Sequence, residues 1–161
     1  MRKKRYTDRE FIKLELIAHQ MSQSEPFLFL DSCDAFWFHN GDPKMPHVQL
    51  TSWFCTDGFC NLRRVERSPR LWETFARQIY FAIKPLKLPK IDWVVGSANS
   101  GITLPYDVAK LCGARFGFVE KDPTDPKRMV WNGGLIAPDE NVLHVEDVIA
   151  TGETFSKGHC R

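Results

Sequence analysis

Between Ile91 and Val145 the chain alternates short apolar runs with small or polar turns, and this rhythm limits the folds open to it. Ile91-Asp92-Trp93-Val94-Val95-Gly96 has the length and β-branched content of a buried strand. Ala114–Val119 supplies a second such run and Val142–Val145 a third. Between the first two, Val108, Ala109 and Leu111 mark one face of a helix, and Gly113 stands where a helix closes on a left-handed residue. Met129–Ile136 reads as a hairpin or an excursion. The order strand–loop–helix–strand–hairpin–strand predicts an α/β fold, a mainly parallel sheet flanked by helices. Ligands in such sheets sit at the carboxyl ends of the strands.

Upstream the signals differ. Thr7 can N-cap a first helix, with Glu10 completing a capping box and Phe11, Leu14, Ala18 and Met21 on one face. Pro26 places the end of that helix near Ser22–Ser24. From Phe27 to Asn61 the chain is rich in aromatics, and Asn40-Gly41-Asp42-Pro43 is a turn signal. Short strands or loops of a small lid-like region fit this stretch, with most of its aromatics expected to pack inward. Ser68-Pro69 opens a further helix with Leu71, Phe75, Ile79 and Ala82 on its apolar face, closed by Pro85 and Pro89. The organisation expected is an N-terminal region over residues 1–66 and a core over 67–161.

Charge and cysteine usage exclude several classes. The 161 residues carry a net charge of +2, and Arg2, Lys3, Lys4 and Arg5 lie at the very start. Without that solvated tip the body is slightly acidic, so no nucleic-acid partner is expected. No apolar run is long enough to span a bilayer, and none follows the basic tip as a secretory signal would. Five cysteines with no C-x-x-C pair fit reduced thiols in a cytoplasmic protein. Cys55 and Cys60 with His39 and His47 have the wrong spacing and order for a common zinc finger.

Two strand ends carry chemistry. Val94-Val95-Gly96 runs into Ser97-Ala98-Asn99-Ser100-Gly101 and then a helix. A small loop there offers backbone N–H groups to an anion, though it matches neither a Walker A loop nor a dinucleotide fingerprint. A tight strand-to-helix turn explains it equally well on its own. The second strand, Val142–Val145, ends in the adjacent carboxylates Glu146 and Asp147. Val148, Ile149, Ala150, Thr151, Gly152, Glu153 and Thr154 follow. Paired acids can accept hydrogen bonds from a vicinal diol, and one can help hold Mg²⁺. The Thr-Gly bend can present N–H groups and hydroxyls to a phosphate. A sugar phosphate would satisfy both halves.

The Val142–Thr154 segment resembles the 5-phosphoribosyl 1-diphosphate (PRPP) binding motif of type I phosphoribosyltransferases, and the chain is most similar to the orotate enzymes of that family. Leu50–Phe59 resembles the hood segment that precedes the core, and Val95–Gly101 the diphosphate-binding loop. Phe118-Val119-Glu120-Lys121 resembles the strand before the mobile catalytic loop. The resemblance implies transfer of 5-phosphoribosyl from PRPP to a nucleobase with release of diphosphate, orotate being the first-choice acceptor and a purine the alternative. It implies that Glu146 and Asp147 hold the ribose hydroxyls and that Val148–Thr154 cradle the 5′-phosphate. Ser97, Ala98, Asn99, Ser100 and Gly101 would bind diphosphate, joined by Lys121 and Arg128. Mg²⁺ would be the cofactor, with Asp147 its protein ligand, and a homodimer the assembly. The side chain of Glu153 is expected to face away from the phosphate, which its carboxylate would repel.

The sequence departs from the family at three points. Trp53 stands where the hood usually has glycine, so that turn is expected to be distorted or blocked. The mobile loop reads Glu120-Lys121-Asp122-Pro123-Thr124-Asp125-Pro126-Lys127-Arg128, without the family's Arg-Lys…Lys…His pattern. The sequence also stops at Arg161, where the family continues, so part of the fold is expected to be missing. A PRPP- or nucleotide-binding module without transfer activity, or an inactive fragment, would explain these departures.

Overall fold

A computed structural model of the chain describes residues 20–22, 24–50, 53–98, 101–125 and 128–148. The helix expected from Thr7 lies outside these residues, apart from its end, where residues 20–22 are non-helical. The chain divides into two compact units between Trp72 and Glu73.

The first described element of the first unit is helix α1 (Glu25–Ser32), which the sequence reading did not anticipate. Pro26, read from the sequence only as lying beyond the first helix, sits in the first turn of α1, where its missing N–H is not needed. Strand β1 (Phe36–Phe38) pairs antiparallel with β4 (Gly58–Cys60), and nested between them β2 (Val48–Gln49) pairs with β3 (Cys55–Thr56). The turn at Asn40-Gly41 is as expected. Gly41 has φ +83°, and the Asn40 side chain accepts from the Asp42 N–H. Short helix α2 (Arg63–Glu66) follows, then α3 (Pro69–Ile83), which begins at Pro69 as the sequence indicates and crosses the division between the units. Phe29, Ala35, Leu62 and Val65 are buried. The aromatics do not all pack inward as expected: Phe27, Phe38, Trp53, Phe54 and Phe59 are exposed. Nor does α3 bury the face expected of it. Trp72 and Ala76 are buried with Leu71, whereas Ala82 is exposed.

The second unit contains the α/β sheet. Strand β5 (Trp93–Ser97) is buried along its whole length and lies between β6 (Arg115–Lys121) and β8 (Val142–His144), parallel to both. Helix α4 (Thr103–Cys112) makes the crossover from β5 to β6. It ends on Gly113 at φ +65°, the left-handed closure read from the sequence. Strand β7 (Met129–Asn132) pairs antiparallel with β6, so Met129–Ile136 begins as the return strand of a hairpin. The spatial order is β7-β6-β5-β8. Val94, Val108, Val119 and Leu104 form the driest part of this unit.

The chain leaves β5 on one side through α4 to β6, whereas β8 adds to the other side of β5. In open α/β sheets, ligands bind where the direction changes in this way, here at the carboxyl ends of β5 and β8. The opposite end of the sheet is tied by polar side chains. Glu140 accepts from the Trp93 indole N–H at 2.9 Å and the Ala137 N–H at 2.9 Å, and it also pairs with Arg115. The Arg115 guanidinium lies 4.4 Å from the Trp93 ring centre, a cation–π contact. These bonds hold the Glu140 carboxyl below its ordinary range, the Ala137 N–H most of all.

Candidate active site

Gly96 is where the sheet meets the first candidate loop. A Cβ on Gly96 would overlap the Gly101 carbonyl oxygen and the Pro105 ring, so the loop after β5 folds directly back over the strand. Two backbone bonds fix that path: the Ala98 N–H donates to Val119 O at 2.7 Å, and the Gly101 N–H to Ser97 O at 2.8 Å. Pro105 stands in the first turn of α4, where it displaces no intrahelical bond, and it packs its ring against Gly96. Asn99 and Ser100 lie outside the described residues.

The second candidate strand end comes to the same place. Val95 is in register with His144, and the Val145 N–H continues the ladder to Val95 O at 2.8 Å. Parallel pairing with alternating faces therefore brings Ser97 beside Glu146, with His144 two residues before it on the same face. The side chains meet. Ser97 Oγ donates to Glu146 Oε1, and His144 Nε2 donates to the same oxygen at 2.7 Å. Ser97 Oγ lies 3.5 Å from that ring nitrogen. Serine and carboxylate thus lie at the same imidazole nitrogen, unlike a Ser-His-acid relay, where they sit at opposite ones.

Side-chain exposure is 8% for Glu146 and 15% for His144. A carboxylate so enclosed must be paired, and these two donors do that. Its second oxygen, Oε2, faces Gly101, where a Cβ would stand 3.0 Å from it. Glycine at 101 leaves that oxygen room. Asp147 is half-buried at the strand end, and its Oδ1 accepts from the Val148 N–H at 2.9 Å. Ser97, Ala98, Gly101, Glu146 and Asp147 are therefore gathered at the carboxyl ends of β5 and β8. Val148 follows them and is exposed. Ile149, Ala150, Thr151, Gly152, Glu153 and Thr154 lie outside the described residues.

Lys121 and Arg128 belong to a different feature, the β6–β7 hairpin. Lys121 is the exposed last residue of β6 and is in register with Met129. The Asp122 N–H donates to Arg128 O at 3.0 Å, and the Arg128 N–H to Asp125 O at 2.9 Å. Asp122 accepts from the Thr124 hydroxyl and N–H, which lower its carboxyl pKa, and its carboxylate lies 3.9 Å from Arg128 Nε. The charge of Arg128 thus already faces an acid.

The expected distortion at Trp53 takes a definite form. The β2–β3 turn is closed by the Trp53 N–H to Leu50 O at 2.9 Å and the Leu50 N–H to Phe54 O at 2.8 Å. Trp53 has φ +68°, a conformation that favours glycine. The turn forms, with tryptophan in the backbone position of a glycine. Its side chain is 83% exposed.

His144 is the site residue that sequence reasoning passed over. Its signal was a polar residue in an apolar strand, two positions before Glu146 and hence on the same face. Among the described residues no group of three or more His, Cys, Asp and Glu side chains could hold a metal. Mg²⁺ takes one or two carboxylates and draws its other ligands from phosphate and water. Asp147 can supply one such carboxylate. Cys33, Cys55, Cys60 and Cys112 form no disulfide among the described residues. No helix among the described residues is long and apolar enough to cross a membrane.

No family model matches the chain. The orotate phosphoribosyltransferase of a Thermoanaerobacter species is 37% identical over 106 residues, which cover 66% of this chain and 53% of that enzyme. The chain spans about half the length of the curated relatives it matches most strongly. In structure, it is similar to the UMP synthase of Leishmania donovani, with a TM-score of 0.61 at 16% identity, covering 94% of this chain and 32% of that one. It is also similar to the adenine phosphoribosyltransferase of Trypanosoma brucei, with a TM-score of 0.58 at 18% identity, covering 86% of this chain and 62% of that one. The chain thus has the α/β fold of the type I phosphoribosyltransferases, and in sequence it is a partial-length relative of the orotate enzymes among them.

Proposed function

We propose that this chain binds PRPP at the carboxyl ends of β5 and β8 and transfers its 5-phosphoribosyl group to a nucleobase, orotate first, releasing diphosphate. The observation that carries the proposal is the seam joining the β5 loop to the acidic end of β8. Ser97 reaches across it to Glu146, while Gly96 and Gly101 let the backbones close up. The loop from Ser97 to Gly101 would take the diphosphate through backbone N–H groups. Glu146 and Asp147 would take the ribose hydroxyls, and residues 148–154 the 5′-phosphate. Lys121 would approach the leaving group from the β6–β7 hairpin. Arg128, whose Nε lies 3.9 Å from Asp122, would join it from the same hairpin.

In the reaction the bond from the ribose anomeric carbon to diphosphate breaks, the diphosphate leaving with the electron pair, and a bond to a ring nitrogen of the base forms as that nitrogen gives its proton to solvent. Positive charge grows on the ribose ring while the diphosphate gains negative charge. Acids beside the ribose and N–H groups beside the diphosphate oppose both developing charges. Mg²⁺, when bound, would neutralise the diphosphate oxygens, with Asp147 as its protein ligand. The acceptor would be held by the N-terminal region, residues 1–66, and PRPP by the core, residues 67–161. A homodimer and a cytoplasmic location complete the reading.

A second reading is a PRPP- or nucleotide-binding module without transfer. Two observations favour it: the strained Trp53 turn in the hood segment, and a β6–β7 hairpin whose arginine already faces Asp122. Diphosphate release from Mg²⁺–PRPP with orotate, adenine, hypoxanthine or uracil separates the two. Release with orotate alone supports the transferase. Binding without release under any of the four supports the module.

A further inference from the structure

We infer that His144 is a positioning residue for the ribose-binding acid, an assignment that rests on the donor-site reading above. Glu146 has two oxygens with different surroundings. Oε1 is held by the Ser97 hydroxyl and by His144 Nε2 at 2.7 Å. Oε2 has no hydrogen bond among the described residues and faces Gly101, on the loop proposed for diphosphate. A carboxylate anchored at one oxygen cannot rotate freely, so His144 and Ser97 fix where the other oxygen points. A strand residue at 144 with an aliphatic side chain would leave Ser97 alone to hold it.

The imidazole also offsets the cost of enclosing Glu146, since a carboxylate at 8% exposure needs strong donors. The bond geometry requires only that Nε2 carry a proton, which a neutral ring satisfies as well as a charged one. His144 is therefore a donor first. Glutamine can replace it in that role and leucine cannot.

The test uses the full chain and three probes: Mg²⁺–PRPP, ribose 5-phosphate and Mg²⁺–diphosphate, each titrated calorimetrically. His144→Leu is expected to weaken PRPP and ribose 5-phosphate by roughly tenfold, the scale of one hydrogen bond to a charged group. It should leave diphosphate unchanged, and His144→Gln should restore most of the loss. Equal weakening of all three probes, or no weakening of any, overturns the inference. If the unsubstituted chain binds none of them, the donor-site reading itself fails, and this inference with it. Should His144→Leu not fold, the ring-nitrogen NMR signals of His144 in the unsubstituted chain decide. They should move when ribose 5-phosphate binds and hold still for diphosphate. Identical responses to both, or none to ribose 5-phosphate, contradict the assignment.

Discussion

Gly96 and Gly101 interlock at the end of β5: a side-chain carbon on the first would occupy the space of the second's carbonyl oxygen. The overlap is with backbone, which cannot swing aside as a flexible side chain would. Gly96→Ala must therefore push the 98–101 loop off the strand or strain the strand itself. Overpacking of this kind costs about 1–3 kcal/mol. The midpoint of urea unfolding should fall accordingly, and PRPP binding should weaken with it. An alanine variant as stable as the parent would show that the loop does not lie over Gly96.

Trp53 occupies a left-handed turn with its side chain in solvent. Tryptophan there costs about 1–2 kcal/mol of backbone strain, while glycine adds about 0.4–1 kcal/mol of unfolded-state entropy. Trp53→Gly should thus leave the chain slightly more stable, and Trp53→Val clearly less so, since a β-branched residue tolerates positive φ worst. Denaturant midpoints in the order Gly above Trp above Val would agree. Val equal to Gly would not.

Glu140 and Asp92 tie the amino-terminal end of the sheet. Both carboxyls are held below their ordinary range, Glu140 chiefly by the Ala137 N–H and Asp92 chiefly by Lys90. A depressed folded-state pKa contributes stability that is fully present above the unfolded-state value. It is lost as pH falls from there through the folded-state value. Melting temperature should therefore drop on acidification through and below the ordinary carboxylate range. Glu140→Gln should lower stability near neutrality and flatten that acid limb. A variant with an unchanged acid limb would remove Glu140 from the explanation.

Much of the second unit was legible in the sequence. The runs read at 91–96, 114–119 and 142–145, with Gly113 closing the helix between the first two, correspond to β5, β6 and β8 at 93–97, 115–121 and 142–144. Local spacing suffices for β5 because a strand buried on both faces is apolar throughout. Helix α1 was missed because Pro26 ends a helix or begins one according to its position, which spacing alone does not reveal. The exposed faces of Phe38 and Phe54 depend on which strands pair, a tertiary fact. The site divides in the same way. Glu146 and Asp147 were visible as a motif, but the inward turn of Glu146 follows from the register of Val95 with His144, and so does the bond from His144.

The donor site is tested most directly by calorimetric titration of the full chain and of Asp147→Ala with Mg²⁺–PRPP, after both are shown by thermal unfolding to be folded. The parent should bind, and loss of the carboxylate should weaken binding by at least about tenfold. Equal affinity in both proteins, or no binding by a folded parent, would contradict a ribose-phosphate site at the ends of β5 and β8.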